Sequence, residues 1–299
     1  MNNKDLFYLL EKAVLLSKKS KIRKIAELKI IISKILEYIA LFSKRSFKMK
    51  ANTFWGEKMW VLIPEIVSLN LYRYGYFEEG LTYMVLEYLK PGMVFFDIGA
   101  HFGYYTLLGS NIVGEKGQVH AFEPTKSTFE ILKLNTEKKS NVVLNTLAVS
   151  SKRDKVLIND YGIRYSAWNS LHSARLPKNV ILNLKPKQYE VETISVDEYV
   201  LKYNVKPNFI KIDAESHEYE ILLGMEQTIK KFQPIITIEV GDFGIEDIPT
   251  SRTLVKFLID KGYQPYEYKK GKILYHIPKK KYSYENILFI PKNNQCKSS

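Results

Sequence analysis

The sequence contains few of the residues that mark several common protein classes. It has a single cysteine, Cys296, among 299 residues, which excludes an intrachain disulfide framework and favours a reducing compartment. It has no uninterrupted hydrophobic run of membrane-spanning length and no small-residue cleavage site of a signal peptide. We therefore expect a cytoplasmic protein. Its 45% hydrophobic and 13% aromatic content is enough for a large core.

The most apolar long stretch, residues 24–42, is interrupted by charges. A charge at mid-bilayer costs about 2.5–3.5 kcal/mol on insertion scales, so this stretch is not expected to span a membrane. Apolar residues recur in it every three or four positions, which places them on one helical face. This stripe consists of Ile25, Leu28, Ile32, Ile35, Ile39 and Phe42. Three roles stay open: packing on its own domain, pairing in a homodimer, or peripheral contact with a membrane.

The positive charge is concentrated at the start of the chain. The formal net charge is +13, and residues 1–50 hold thirteen Lys/Arg against four Asp/Glu, an excess of +9. The remainder therefore carries only +4, by subtraction. An enzyme acting on nucleic acid is expected to place its positive surface around the catalytic cleft. The distribution therefore does not favour a nucleic-acid partner.

After residue 50, short apolar strands alternate with helical segments, which predicts a mostly parallel sheet covered on both faces. The predicted strands are 93–99, 118–124, 141–149, 209–215 and 234–240, followed by a hairpin turning at Lys270-Gly271 and a last strand at 285–292. The predicted helices are 103–113, 125–139, 217–231 and 251–262. We divide the chain into a basic amphipathic helical extension (1–50), a catalytic domain (51–291, core 75–262) and a polar tail (292–299).

Two acids stand at the ends of successive predicted strands. Asp97 precedes a turn containing Gly99 and Gly103, and Glu123 ends the next strand. Ligands of open α/β sheets bind at such strand ends. A pyrophosphate on this turn would be repelled by Asp97 by a few kcal/mol at an effective dielectric constant of about 20. The ligand is therefore expected to be cationic there. S-adenosylmethionine has a positive sulfonium and ammonium, and its ribose needs an acid such as Glu123.

The chain also resembles the FkbM-type methyltransferases, which methylate hydroxyl groups of sugars, glycans and related metabolites. The resemblance covers about Gly75 to Gly241 and rests on "YGYFE", "DIGAHFGYY", "FEPT", "NTLAVS", "NSL", "FIKIDAESHEYEILLG" and "PIITIEV". It departs from the family pattern at Ser216, where glycine is common, and His101 replaces the middle glycine usual in the cofactor turn.

This resemblance implies a Rossmann-like class I methyltransferase fold, an α/β fold with a mostly parallel seven-stranded sheet, helices on both faces and here an N-terminal helical extension. It implies an S-adenosylmethionine-dependent O-methyltransferase with a small-molecule or glycan acceptor. Asp97 would hold the methionine end of the cofactor, Glu123 the ribose, and Ala148 would border the adenine. The full set expected to bind the cofactor is Asp97, Gly99, Ala100, His101, Gly103, Tyr104, Glu123, Ala148 and Asp213.

Methyl transfer to an alcohol also requires a group that accepts the hydroxyl proton. The candidates Asp213, Glu215 and His217 cluster in "DAESHE", and His217 or Glu215 is favoured over His101 in the cofactor turn. Acids at neighbouring strand ends leave a divalent metal open, although it is not favoured and no metal ligands are assigned.

The segment 161–190 is long for a connection and rich in aromatic and hydroxyl groups, as functional loops are. We expect acceptor contacts from it and from both ends of the cleft, at Glu78, Thr82, Trp168, Asn169, Ser170, His172 and Glu239. A nucleic-acid or protein methyltransferase stays an alternative, although adjacent prolines of the kind usual in nucleic-acid amino-methyltransferases are missing. A module that binds the cofactor without turnover is a further alternative.

Overall fold

The computed structural model describes residues 3–23, 28–171, 185–242 and 248–292. The strands in these ranges are β1 (Phe47–Asn52), β2 (Lys58–Ile63), β3 (Val94–Ile98), β4 (Gln118–Phe122), β5 (Val142–Asn145), β6 (Ala148–Val149), β7 (Lys155–Asp160), β8 (Lys187–Ile194), β9 (Phe209–Ile212), β10 (Ile235–Val240), β11 (Tyr263–Lys269), β12 (Lys272–Tyr275) and β13 (Glu285–Pro291). The α-helices are α1 (Asn3–Arg23), α2 (Leu28–Ser43), α3 (Ile66–Tyr74), α4 (Glu79–Tyr88), α5 (Tyr104–Val113), α6 (Lys126–Thr136), α7 (Val196–Tyr203), α8 (Glu218–Leu223), α9 (Glu226–Phe232) and α10 (Ser251–Asp260).

The central sheet has the strand order β12-β11-β13-β10-β9-β3-β4-β5. Five neighbouring strands, from β10 to β5, pair in parallel, whereas β13, β11 and β12 pair antiparallel. The middle strands are mostly apolar runs because both of their faces are buried. The predicted α/β fold is confirmed, but the sheet has eight strands and not seven. The additional strand is β12, the second strand of the predicted hairpin, which extends the sheet edge.

Helices cover both faces of the sheet and form two hydrophobic clusters. One cluster combines α1, α3, α4 and α5 with one side of the sheet, and the other combines α7 to α10 with the opposite side. Both sides of a parallel sheet must be buried in this way because its crossover connections run over its faces. The carboxyl ends of β3, β4 and β9 are left open to a cavity.

Two predicted elements are each divided in the structure. The predicted strand 141–149 becomes β5, which pairs with β4, and β6, which leaves the main sheet to pair with β8. The predicted helix 217–231 becomes α8 and α9, with Gly224 and Met225 between them. The hairpin β1-β2 and the antiparallel pair β7-β8 were not predicted.

The stripe predicted on residues 25–42 lies on α2 from Leu28 onward, since Ile25 is outside the described residues. It faces solvent: Leu28 is 70% exposed and Phe42 is 85% exposed. The opposite side of α2, with Ser33 and Ala40, is buried. The predicted helix is confirmed, and it packs on its own domain through this opposite side, which leaves most of the stripe facing solvent.

The division of the chain at residue 50 stays a prediction. In the structure β1 runs across this position, and α1 contributes Leu6, Leu10 and Val14 to a core cluster shared with α4. Within the described ranges, no helix has both the length and the apolar character needed to cross a membrane.

His120 on β4 makes stability depend on pH. The residue is 3% exposed, its Nδ1 lies 2.8 Å from the Tyr199 hydroxyl, and burial lowers the pKa of its imidazole to about 4. In the unfolded chain this pKa is about 6.5, so the unfolded state binds the proton first and the stability contribution of His120 is lost as pH falls from about 6.5 towards 4. When the pH is lowered from 7 to 5, the free energy of unfolding of the wild type should fall by about 2 kcal/mol more than that of His120→Gln.

Urea unfolding of both proteins at the two pH values measures this difference. Burial raises the pKa of Glu65 to about 7, so its titration increases stability as the pH falls, opposite to the effect of His120. Since Glu65 is present in both proteins, its effect cancels when the wild type is compared with His120→Gln. Equal changes in the two proteins would contradict the assignment.

Candidate active site

A cavity opens at the carboxyl ends of β3, β4 and β9, where the sequence predicts the cofactor. It lies between the turn after β3, the segment 166–171 and the turn after β9. Its wall contains apolar residues as well as carboxylate and imidazole groups. Among the described residues, the predicted site residues on its wall are Gly99, Ala100, His101, Tyr104, Glu123, Ala148, Asn169, Ser170, Asp213, Glu215 and His217.

The turn after β3 is shaped by left-handed backbone. Gly99 has φ of 76° and Gly103 has φ of 89°, conformations that glycine adopts without strain. A Cβ on Gly99 would lie 1.7 Å from the carbonyl oxygen of Asp213, so this turn and the end of β9 are in direct backbone contact. His101 also has a positive φ, of 50°, which explains why glycine is usual there.

Glu123 organises the turns after β3 and β4. Its Oε2 accepts a hydrogen bond from the His101 backbone N–H at 2.8 Å. Its Oε1 accepts from the Thr125 N–H at 2.9 Å and from the Thr128 hydroxyl at 2.7 Å. Burial raises the pKa of the Glu123 carboxyl, while these hydrogen bonds favour its charged form. Oε2 has only one of these donors and keeps a lone pair for a ligand hydroxyl.

Glu123→Gln is expected to weaken S-adenosylmethionine binding by about 1–3 kcal/mol, which is roughly tenfold to hundredfold in Kd. The amide cannot accept from the His101 N–H and from ribose hydroxyls as a carboxylate does. Calorimetric titration measures the affinity, and Glu130→Gln on the exposed side of α6 is the matched control. An unchanged Kd in Glu123→Gln would remove the assignment of Glu123 to the ribose.

Asp97 is fully buried and does not reach the cavity wall. Its Oδ2 accepts from the Thr106 hydroxyl at 2.6 Å, and the Nζ of Lys211 lies 3.1 Å from its Oδ1. The expectation that Asp97 directly faces a cationic ligand therefore needs correction. Lys211 also lies 3.5 Å from Asp213, and Asp213 lies at the cavity wall.

Lys211 is charged in spite of its burial. Only 2% of its side chain is exposed, and its ammonium donates to the Gly99 carbonyl oxygen at 3.0 Å. Burial opposes the charged form, but the carboxylates of Asp97 and Asp213 outweigh it and raise the pKa of Lys211. This residue was missed in the sequence, although a lysine within the apolar run "FIKID" is a detectable signal.

The predicted base candidates lie in the turn between β9 and α8. Glu215 and Ser216 have φ of 47° and 82°, so a serine occupies the left-handed position where the family has glycine. The Glu215 carbonyl accepts from the Ser170 hydroxyl. His217 is 8% exposed, and its Nε2 lies 2.9 Å from the Ser150 hydroxyl, a contact that fixes the ring at the cavity wall.

His101 is a poor candidate for the base. Its Nε2 lies 2.9 Å from the Ser166 hydroxyl, and burial followed by the charge of Lys211 lowers its pKa to about 3. A group with so low a pKa has little driving force to take a proton near neutral pH.

Carboxylate oxygens of Asp213, Glu215 and Glu239 lie within 4.8 Å of one another. This spacing keeps a divalent cation among the alternatives that the sequence left open. Asp213 is already paired with Lys211, which lowers the charge available to a metal.

Only some of the residues expected to contact the acceptor reach the cavity wall. Asn169 and Ser170 reach the cavity wall, and Glu239 lies buried at the end of β10. Thr82 is fully buried and donates to the Phe77 carbonyl at 2.6 Å, so it supports the wall from behind. Trp168 ends a 3₁₀ helix without lining the cavity. His172 lies outside the described residues.

Glu78 lies behind the cavity wall and orders it. Its Oε1 accepts from the Tyr284 hydroxyl at 2.7 Å and from the Asn286 amide at 3.2 Å. Burial and the charge of Asp213 raise the pKa of the Glu78 carboxyl. The Tyr105 hydroxyl lies 3.3 Å from the Glu78 carboxylate. Both Tyr105 and Tyr284 line the cavity. Neither tyrosine was predicted, because each lies far along the chain from the residues it meets.

The class of protein follows from the fold and the site together. They combine the open carboxyl ends of parallel strands, the glycine turn after β3, and the acids Asp97 and Glu123 at the ends of successive strands. The chain carries an S-adenosylmethionine-dependent methyltransferase domain of the Rossmann-like class I fold. The model of the methyltransferase FkbM domain matches residues 97–265, more than half of the chain. The protein therefore belongs to the FkbM methyltransferase family.

Sequence identity to individual relatives is low. The chain is 28% identical over 161 residues to the hexuronic acid methyltransferase AglP of Haloferax volcanii, covering 53% of this chain and 61% of that protein. It thus spans about three fifths of this relative. An FkbM methyltransferase structure from Methylobacillus flagellatus is 15% identical, with a TM-score of 0.40, over 74% of this chain and 52% of that one. Fibrillarin of Aeropyrum pernix, with bound S-adenosyl-L-methionine, is 11% identical, with a TM-score of 0.39 and 68% coverage of each chain.

Proposed function

We propose that the protein transfers a methyl group from S-adenosylmethionine to a hydroxyl group of a sugar or glycan. The observation that carries this proposal is the cavity itself, which joins a cofactor turn to a wall with acid and imidazole groups. The hexuronic acid methyltransferase AglP, related over 161 residues, supports a sugar as the acceptor class.

The cavity has the chemistry that this cofactor requires. Glu123 is placed for the ribose hydroxyls, and Asp213 is placed for the positively charged methionine end. Leu147 and Ala148 form an apolar surface suited to the adenine ring. The side-chain nitrogen of Asn169 is buried at the wall with no hydrogen-bond partner among the described residues, so it is a donor suited to a ligand acceptor.

The acceptor end of the cavity is acidic, which favours a neutral sugar at the reacting position. Asp213 and Glu215 line it, and Glu78 lies just behind. A sugar carboxylate placed against these groups would be repelled, because charges in a poorly screened site interact strongly. Tyr105 and Tyr284 offer ring faces and hydroxyl groups to a sugar ring.

The reaction then depends on position and on one proton transfer. Bound S-adenosylmethionine supplies an activated methyl group. The cavity holds the acceptor hydroxyl in line with it, and orientation supplies much of the rate. His217 or Glu215 would accept the hydroxyl proton as the oxygen bonds to the methyl carbon and the methyl–sulfur bond breaks, with the neutral thioether as the leaving group.

Transfer of a labelled methyl group to a panel of acceptors tests this proposal. The panel contains neutral hexosides, hexuronides, RNA and a protein mixture. Label in a neutral hexoside, stable to mild base as an ether is, is the expected result. Label only in RNA or protein would overturn the acceptor class, and cofactor binding without transfer to any acceptor would indicate a binding module.

A further inference from the structure

Helix α2 presents a solvent-facing apolar surface that the catalytic cavity does not use. Its members follow the three- and four-residue spacing of one helical side, and they are between 43% and 85% exposed. The helix has sixteen residues and is therefore about 24 Å long. We call this surface the α2 apolar face, and it consists of Leu28, Ile31, Ile35, Tyr38, Ile39 and Phe42.

The opposite side of α2 fixes this orientation. The Nε of Arg73 on α3 donates to the Ser33 hydroxyl at 2.7 Å, and its Nη2 donates to the Glu37 carboxylate at 3.1 Å. Ser33 and Ala40 are buried against the domain. The α2 apolar face is thus held outward by specific contacts, and patches of this kind on a folded domain mark interaction sites.

Exposed basic residues lie on α2 and in the segment that directly follows it, and two of them, Lys48 and Lys50, lie over the ring of Trp60. Between residues 28 and 50 there are six Lys/Arg and one Asp/Glu. The one acid, Glu37, is paired with Arg73. The six exposed cations are Lys29, Lys34, Lys44, Arg45, Lys48 and Lys50.

We propose that the α2 apolar face docks the protein on an anionic membrane surface. A helix with an apolar side and basic flanks lies in the plane of the lipid headgroups, with its apolar side in the acyl boundary. Each basic residue near anionic lipid strengthens binding by about fivefold at low screening. A second copy of the chain is less favoured, because two-fold pairing would bring together two segments that each carry six Lys/Arg and one Asp/Glu between residues 28 and 50. The inference does not depend on the identity of the methyl acceptor.

Co-sedimentation of the full chain with vesicles tests the proposal. Binding is expected with phosphatidylcholine mixed with phosphatidylglycerol, and it should weaken as salt is raised. Phosphatidylcholine alone should bind at least tenfold less. Ile35→Ser and Phe42→Ser should each weaken binding to the mixed vesicles by about tenfold, since both side chains are exposed and their loss leaves the core intact.

Leu201→Ser is the matched control, because Leu201 on α7 is 84% exposed but lies outside the α2 apolar face. It should bind as the wild type does. Three results would overturn the proposal: no binding to the mixed vesicles, equal binding to both lipids, or wild-type binding by Phe42→Ser and Ile35→Ser. A dimer in light scattering that Phe42→Ser dissociates, without vesicle binding, would assign the face to a second copy instead.

Discussion

Lys211→Met is expected to lower the free energy of unfolding by about 3–5 kcal/mol, the usual cost of removing one partner of a buried ion pair. The substitution keeps most of the side-chain volume but leaves Asp97 buried without its cation. The Gly99 carbonyl oxygen would also lose the ammonium as a donor, and the Ile98 carbonyl oxygen would keep only the Asp213 N–H. Denaturant unfolding at neutral pH measures the loss. Lys256→Met, on the exposed side of α10, should change stability by less than about 0.5 kcal/mol.

The double variant Asp97→Asn/Lys211→Met distinguishes loss of charge balance from loss of packing. If unbalanced charge is the cause, the double variant should be more stable than Lys211→Met, because no lone carboxylate is left at Asp97. If the stability losses of Asp97→Asn alone and Lys211→Met alone add up to the loss of the double variant, Asp97 and Lys211 stabilise the fold independently. That result would contradict the pairing.

Removing the base is expected to lower turnover by about 10²–10⁴-fold, the range typical of general-base loss. His217→Gln and Glu215→Gln are made separately, and the variant that removes the base should show this loss while its affinity for S-adenosylmethionine stays near that of the wild type. Single-turnover methyl transfer and calorimetric titration give the two quantities. Ser150→Ala, which removes the hydroxyl beside His217, should have a smaller effect in the same direction if His217 is the base.

His276→Gln is the matched control for the imidazole. His276 is buried and bonds to Tyr282, outside the cavity wall, so its loss should leave turnover near wild type in the folded protein. Near-normal turnover in both His217→Gln and Glu215→Gln would show that positioning alone drives the transfer.

The sequence predicted the strands that hold the cavity because their patterns are strong and local. The runs that become β3, β4, β9 and β10 are mostly apolar, as strands buried on both faces are, although Asp97, His120, Lys211 and Glu239 lie within them. Gly99 and Gly103 mark a turn that needs left-handed backbone, and Glu123 ends a strand. Since parallel strands end at one edge of the sheet, the position of the site followed from these residues.

The remaining features depend on contacts between distant parts of the chain. Glu78 and Tyr284 are separated by 206 positions, and no local pattern joins them. The apolar stripe predicted α2 but not its orientation, because the side that packs inward uses the small residues Ser33 and Ala40. Asp97 was expected at the ligand because its cation, Lys211, arrives from a strand more than a hundred residues later.

The position of β3 in the sheet also determines when the cavity can form during synthesis of the chain. Phe95 pairs with Val119 on one side and with Phe209 on the other, and Gly99 touches the Asp213 carbonyl. A ribosome adding 5–20 residues per second needs on the order of 10 s between β3 and β9. During that interval the nascent chain has the glycine turn but not the wall that completes it. The cavity can therefore be complete only after β9 and the turn that follows it have left the ribosome.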